Sequence, residues 1–222
     1  MSLEPVIIKP YQKGNSIGLD VQINSAEATI EDYYQALDSY ILNGQYQRLR
    51  STTTDCEGCD TCCQERIPLT SIDVFTLKKA VAPDLGLNDF LRRYCYVSIN
   101  GPVLDISLAH NAQDSCLFLN LVTGKCLNYA ARPLVCHTYI CTPLSPRARK
   151  LRETVINTGM DELVRLMLAE AENPEKLPCH EAFEPAVDPE DWPQNKWTGR
   201  DNYSAIKLKD ILPERLWQEL IR

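Results

Sequence analysis

The chain has 222 residues, 23 of them Lys or Arg and 30 Asp or Glu, for a formal net charge of −7 and a pI near 5.1. No basic stripe stands out to neutralise phosphates, which argues against a nucleic-acid surface, and no apolar run reaches the length of a membrane span. The length admits one domain with extensions and a core large enough that a metal is not needed merely to fold.

Met1-Ser2-Leu3-Glu4-Pro5 lacks the basic start of a secretory signal, and Val6-Ile7-Ile8 is too short for its apolar segment. A cytoplasmic location follows as an expectation, with the ten cysteines reduced and available to metals rather than joined as disulfides. Residues Pro5 to Ile23 read as a β-hairpin turning at Lys13-Gly14-Asn15-Ser16, because Ile17, Leu19, Val21 and Ile23 alternate cleanly. A helix is expected to follow from a Ser25 cap, with Ile30, Tyr34, Leu37 and Ile41 at helical spacing and Asn43-Gly44 at its end. Tyr33, Tyr34, Tyr40 and Tyr46 are expected to pack on the core rather than form a stacking surface.

Thr70, with Asp73 three residues on, predicts a capped helix through about Ala80. Asn88 is expected to cap a short helix from Asp89 to Tyr94. Asn100-Gly101 predicts a hairpin between Tyr96–Ile99 and Val103–Ile106, although Pro102 weakens the second arm. Cys95, between two tyrosines, reads as core. A second hairpin is expected from Cys116 to Tyr129, turning at Thr123-Gly124, so that Cys116 and Cys126 reach different parts of a site. Arg132-Pro133 then opens a helical turn carrying Cys136, His137 and Cys141, with Pro133 at its first position. Ser145-Pro146 starts a long helix that Gly159 punctuates, and Arg147, Arg149, Lys150 and Arg152 make its solvated face. Residues 173 to 202, rich in Pro and acidic residues and carrying Trp192 and Trp197, read as an extended wrap. Asp210 to Arg222 closes as one amphipathic helix.

The fold class expected from these elements is α+β: a small, irregular, cysteine-rich metal-binding core with short β-hairpins, flanked by helices. The expected organisation is an N-terminal hairpin and helix over 1–50, the cysteine-cluster domain over 51–144, and a helical region with its wrap over 145–222.

The chain is organised around Cys56-Glu57-Gly58-Cys59-Asp60-Thr61-Cys62-Cys63. Cysteines that serve as small hydrophobes do not recur at this spacing among Glu, Asp and Thr, whereas two-residue spacers let one loop turn several sulfurs toward one centre. Side chains of consecutive residues usually point apart, so Cys62 and Cys63 are read as serving two ions or two corners of one cluster. Adding Cys116, Cys126, Cys136 and Cys141 gives eight thiols. Eight saturate two tetrahedral sulfur sites, and four hold one 4Fe–4S cluster. Arg132 is expected beside the sulfurs, where a guanidinium offsets thiolate charge. His137 is expected to face away, and Cys179 with His180 to lie apart in the wrap.

Cys56-x2-Cys59-x2-Cys62-Cys63, Cys116-x-Phe118-Leu119 and Gly124-x-Cys126-x2-Tyr129-x2-Arg132-Pro133-x2-Cys136 together resemble the YkgJ-type cysteine-cluster family, a CxxCxxCC zinc- or iron-chelating domain. The Thr70–Asp73 helix start is similar too. The likeness covers about residues 52–141, and Asp60 departs from the glycine usual before the adjacent pair. It implies metal-directed roles for cysteines 56, 59, 62, 63, 116, 126 and 136, with Cys141 as an eighth. It extends distantly to flagellin lysine N-methylases.

Three functions remain open at this point. The first is a metalloprotein binding an iron–sulfur cluster or iron, in redox sensing, electron transfer or modification chemistry. The second is a structural zinc protein that binds a protein partner. The third is a cluster-dependent transferase, against which stand the lack of a glycine-rich nucleotide loop and of paired catalytic carboxylates.

Overall fold

The computed structural model describes residues 4–43, 59–171 and 176–222. Strands β1 (Val6–Lys13) and β2 (Ser16–Ile23) pair antiparallel from Val6↔Ile23 to Lys13↔Ser16, turning through Gly14 at φ 58°. The left-handed φ is one that glycine adopts at no steric cost. The alternation expected of β2 buries Leu19, Val21 and Ile23. Gly18 leaves the room the neighbouring chain needs: a Cβ there would stand 1.9 Å from the Pro143 carbonyl oxygen. That close approach lets Leu19 N donate to Pro143 O at 2.8 Å and Ser145 N to Leu19 O at 2.9 Å.

Helix α1 (Ile30–Asn43) starts at Thr29 and not at Ser25. Thr29 Oγ1 accepts from Asp32 N while Asp32 Oδ2 accepts from Thr29 N, a reciprocal pair that satisfies two amides. Ser25 Oγ instead closes a local turn with Glu27 N. Tyr33 is buried and Tyr34 and Tyr40 pack against the same core, as expected, whereas Tyr46 lies outside the described residues.

Helix α2 (Ser71–Val81) has the Thr70–Asp73 capping box that the sequence predicts. Helix α3 (Leu87–Tyr94) is preceded by Gly86, so Asn88 is not its cap; Asn88 is buried and its Nδ2 donates to Met167 O. Strands β3 (Cys95–Asn100) and β4 (Val103–Leu108) form the expected hairpin, with Gly101 at φ 56°. The segment read as a wrap adds β5 (Glu181–Phe183), parallel to β3, making a sheet of order β4-β3-β5.

Helix α4 (Leu134–Thr138) begins after Pro133, which precedes the first turn rather than occupying it. Helix α5 (Pro146–Glu170) is capped by Ser145 and runs unbroken through Gly159, contrary to the punctuation expected there. A Cβ on Gly159 would lie 2.7 Å from Thr70 Cγ2 and 2.7 Å from Trp197 Cη2. The glycine is therefore a contact point, not a break. The last stretch is two short helices, α6 (Leu208–Ile211) and α7 (Glu214–Leu220), because Pro213 separates what was expected to be one.

These elements close over two apolar cores. One gathers the β1–β2 hairpin, α1, the first half of α5 (Leu151, Val155), Trp197 and α6–α7. The other gathers α2, α3, the β3–β4 hairpin, Cys95, Cys116, Phe118 and the second half of α5 (Leu163, Met167). Helix α5 thus belongs to both, with Gly159 between its two buried halves. The architecture is α+β.

Candidate metal centre

Three separate stretches bring cysteines to one place, and backbone bonds hold them there. The first is a 3-10 turn, Thr61–Gln64, closed by Cys63 N donating to Asp60 O at 2.9 Å. The second is tied to it directly, since Cys116 N donates to Cys63 O at 2.7 Å. From there the chain folds back at Gly124 (φ 67°), with Leu119 bridging Cys126 and Leu127 N donating to Phe118 O. Asn120 Oδ1 supports that bend by accepting from Val122 N and Thr123 N. This is a bent loop held by single bridges, not the two-stranded hairpin expected over 116–129. The third stretch is α4, which presents Cys136. Its first amide, Leu134 N, donates to Asp73 Oδ1 at 2.7 Å, so the carboxylate that caps α2 also anchors α4.

The result is a cavity of about 560 Å³ with Cys59, Cys62, Cys63, Cys116, Cys126 and Cys136 in its walls. Asp38, Tyr129, Arg132 and Tyr139 complete it on the polar side, and Ile67, Leu77, Leu108 and Phe118 on the apolar side. Cys62 and Cys63 do not diverge as neighbours in an extended chain would. Both face the cavity, and the Cys63 thiol donates to the Cys62 sulfur. That hydrogen bond holds Cys62 down to about 7 and pushes Cys63 far up. Burial pushes Cys116, Cys126 and Cys136 above the ordinary thiol value, and the neighbouring sulfurs add to it. The Arg132 charge works the other way at Cys126.

Arg132 is oriented by two groups. Nη1 donates to Tyr129 O at 3.1 Å, Nη2 donates to Asp38 Oδ1 at 2.8 Å, and the guanidinium carbon lies 4.1 Å over the Tyr129 ring. The other oxygen of Asp38 stands 2.7 Å from Nδ1 of His137, whose ring packs on Tyr34 at 4.5 Å. His137 is not among the cavity walls.

Cys141 lies past the end of α4, half-buried and outside the cavity lining. Cys56 lies outside the described residues. Cys95 is core, as expected, where burial pushes its thiol up to about 12. Cys179 is exposed and donates to Glu181 O at 3.2 Å. Two residues escaped sequence reading: Asp38, which holds both Arg132 and His137, and Asp73 in its second role as the α4 anchor. For Asp38 the available signal was a carboxylate on the helix face that carries Tyr34 and Ile41.

Among the described residues, no three His, Cys, Asp or Glu side chains stand close enough together to make a closed ion site. The donor chemistry nevertheless fits a soft metal: six sulfurs, no imidazole and one carboxylate (already doubly paired) face the cavity. Thiols that raise one another's pKa in a half-buried cavity become thiolates together only against a compensating cation.

A cavity walled by sulfurs from three chain segments defines a cysteine-cluster, metal-binding protein. Residues 55–159 match the family described as "CxxCxxCC: Putative zinc- or iron-chelating domain". No curated protein and no solved structure matches the chain. No helix among the described residues is long and apolar enough to cross a membrane.

Proposed function

We propose that this is a cytoplasmic metalloprotein whose thiol cavity holds an iron–sulfur cluster or iron, serving redox sensing, electron transfer or modification chemistry. The observation that carries the reading is the meeting of six thiols from three segments on one cavity, more than the four that one tetrahedral zinc requires. The adjacent pair facing one cavity supports a single shared centre. The ligand set proposed is Cys56, Cys59, Cys62, Cys63, Cys116, Cys126 and Cys136, with Cys141 as a further candidate. The metal-binding unit proposed is 51–144, with 1–50 and 145–222 packed around it. Bound metal supplies Lewis acidity or a redox couple. The chain's own part is to hold the thiols, to place Arg132 beside Cys126, and to wall the centre with Phe118, Tyr129 and Tyr139.

The experiment is anaerobic purification, followed by visible absorption and iron, sulfide and zinc determination per chain. A brown protein with iron and sulfide, bleached by dithionite, is the expected result. Colourless protein with stoichiometric zinc and no sulfide overturns it in favour of a structural zinc centre.

A further inference from the structure

Cys62 and Cys136 are walls of two cavities, not one. The second, about 360 Å³, lies between the 65–68 segment, α4 and α5, and shares Ile67 and Tyr139 with the first as well. Its apolar wall is Ile67, Val135 and Ile156, and its charged residues are Glu65, Arg66, Arg152 and Glu153.

Among the described residues, neither guanidinium is spent on a carboxylate, although Arg66 also hydrogen-bonds the Tyr96 hydroxyl. Arg147, one turn before Arg152 on α5, is spent on Asp20, with Nε 2.9 Å from Oδ1 and 3.1 Å from Oδ2. Arg66 lies over the Tyr96 ring at 4.0 Å and Arg152 over Tyr139 at 5.5 Å. Neither meets a carboxylate within ion-pair distance among the described residues. Stacking on a tyrosine face fixes a guanidinium's plane and leaves its N–H edge to bind a carboxylate. Glu153, exposed beside Arg152, also has no ion-pair partner among the described residues.

A cavity with fixed positive and negative groups, apolar walls and room for a small molecule selects a ligand carrying both charges. We propose that this cavity binds an amino-carboxylate, a free α-amino acid or a molecule of the same charge pattern. Its carboxylate meets Arg66 and Arg152, its ammonium faces Glu153, and its side chain lies along Ile67, Val135 and Ile156 toward the two sulfurs. The site needs only the shared wall of Cys62 and Cys136, whatever metal the other cavity takes.

The test uses the full chain as purified, labelled with nitrogen-15, and follows amide shifts on addition of L-methionine, succinate or 1,4-diaminobutane. Saturable shifts at residues 65–68 and 152–157 with the amino acid, weaker for the dianion and the dication, are expected. Arg152→Gln and Glu153→Gln each weaken binding about tenfold, the loss of one charged contact, while Arg149→Gln, exposed on the same helix, leaves it unchanged. Absence of shifts up to about 10 mM amino acid, succinate binding as well as L-methionine, or unchanged binding in both Arg152→Gln and Glu153→Gln each overturns the proposal. Because binding is read from shifts and not from metal content, a chain without iron that still binds the amino acid refutes the proposed function alone.

Discussion

Replacing Asp73 by alanine tests whether one buried carboxylate links the helix scaffold to the cysteine site. Its Oδ2 accepts from Thr70 N and Thr70 Oγ1, both at 2.8 Å, and its Oδ1 accepts from Leu134 N at 2.7 Å and from the Tyr203 hydroxyl. Loss of the capping box costs about 1 kcal/mol. Leaving Leu134 N buried without an acceptor costs about 1–3 kcal/mol more. Tyr203 retains a neighbour, since its hydroxyl also stands 3.2 Å from Thr70 Oγ1, so little is added there. Burial holds the Asp73 carboxyl above its usual range, which returns part of the cost when the group is removed. The net expectation is about 3 kcal/mol, or about 6–12 °C in Tm for a chain of this size. Thermal unfolding followed by circular dichroism measures it, and metal per chain should fall with it because α4 carries Cys136. Tyr203→Phe removes one donor, leaves α4 anchored, and should keep the metal. An Asp73→Ala protein that melts within about 2 °C of the parent with full metal content would refute the linkage.

Asp38→Asn should weaken metal binding by about 10- to 100-fold, the usual effect of losing a group that orients residues around a centre; competition with a chelator reads it, and unchanged affinity would remove Asp38 from the site. Cys116→Ser and Cys136→Ser should each lower bound metal, whereas Cys179→Ser should not, as elemental analysis will show. Gly159→Ala should destabilise by about 1–3 kcal/mol through collision with Thr70 and Trp197, despite a helix-propensity gain of about 1 kcal/mol, and a higher urea midpoint would contradict the packing. At Asp20, burial raises the pKa, but hydrogen bonds from Arg147 and Ser145 outweigh it and hold the group below its usual value. A depressed carboxyl contributes stability above the unfolded pKa of about 3.9 that fades as pH falls. Arg147→Met should therefore cost about 1 kcal/mol at pH 7 and progressively less below pH 4, as urea titrations across pH would reveal.

What could be read in advance was local. The β2 alternation, the Thr70–Asp73 box, the Asn100-Gly101 turn and the Ser145-Pro146 start each depend on residues a few positions apart, and each is present. Two of the misreadings came from partners distant in sequence. Gly159 looked like a break because Thr70 and Trp197, which occupy the space of its missing Cβ, are far away in the chain. Asn88 looked like a cap because its acceptor, Met167 O, belongs to α5. At the site, the cysteine spacing marked the sulfurs now found on the cavity. It had no means of marking Asp38, whose importance lies entirely in reaching Arg132 and His137 from another helix.

The way α5 is shared sets an order of assembly. The core holding Cys95, Cys116 and Phe118 draws its buried residues from Ile67 to Met167, with α5 as the last helix it needs. The other core stays incomplete until Trp197, Leu216 and Leu220 arrive to meet the hairpin, where Ile221 bridges Ile23. On the ribosome the sulfur-bearing half is therefore available to capture its metal while the β1–β2 hairpin, made first, still waits for its partners.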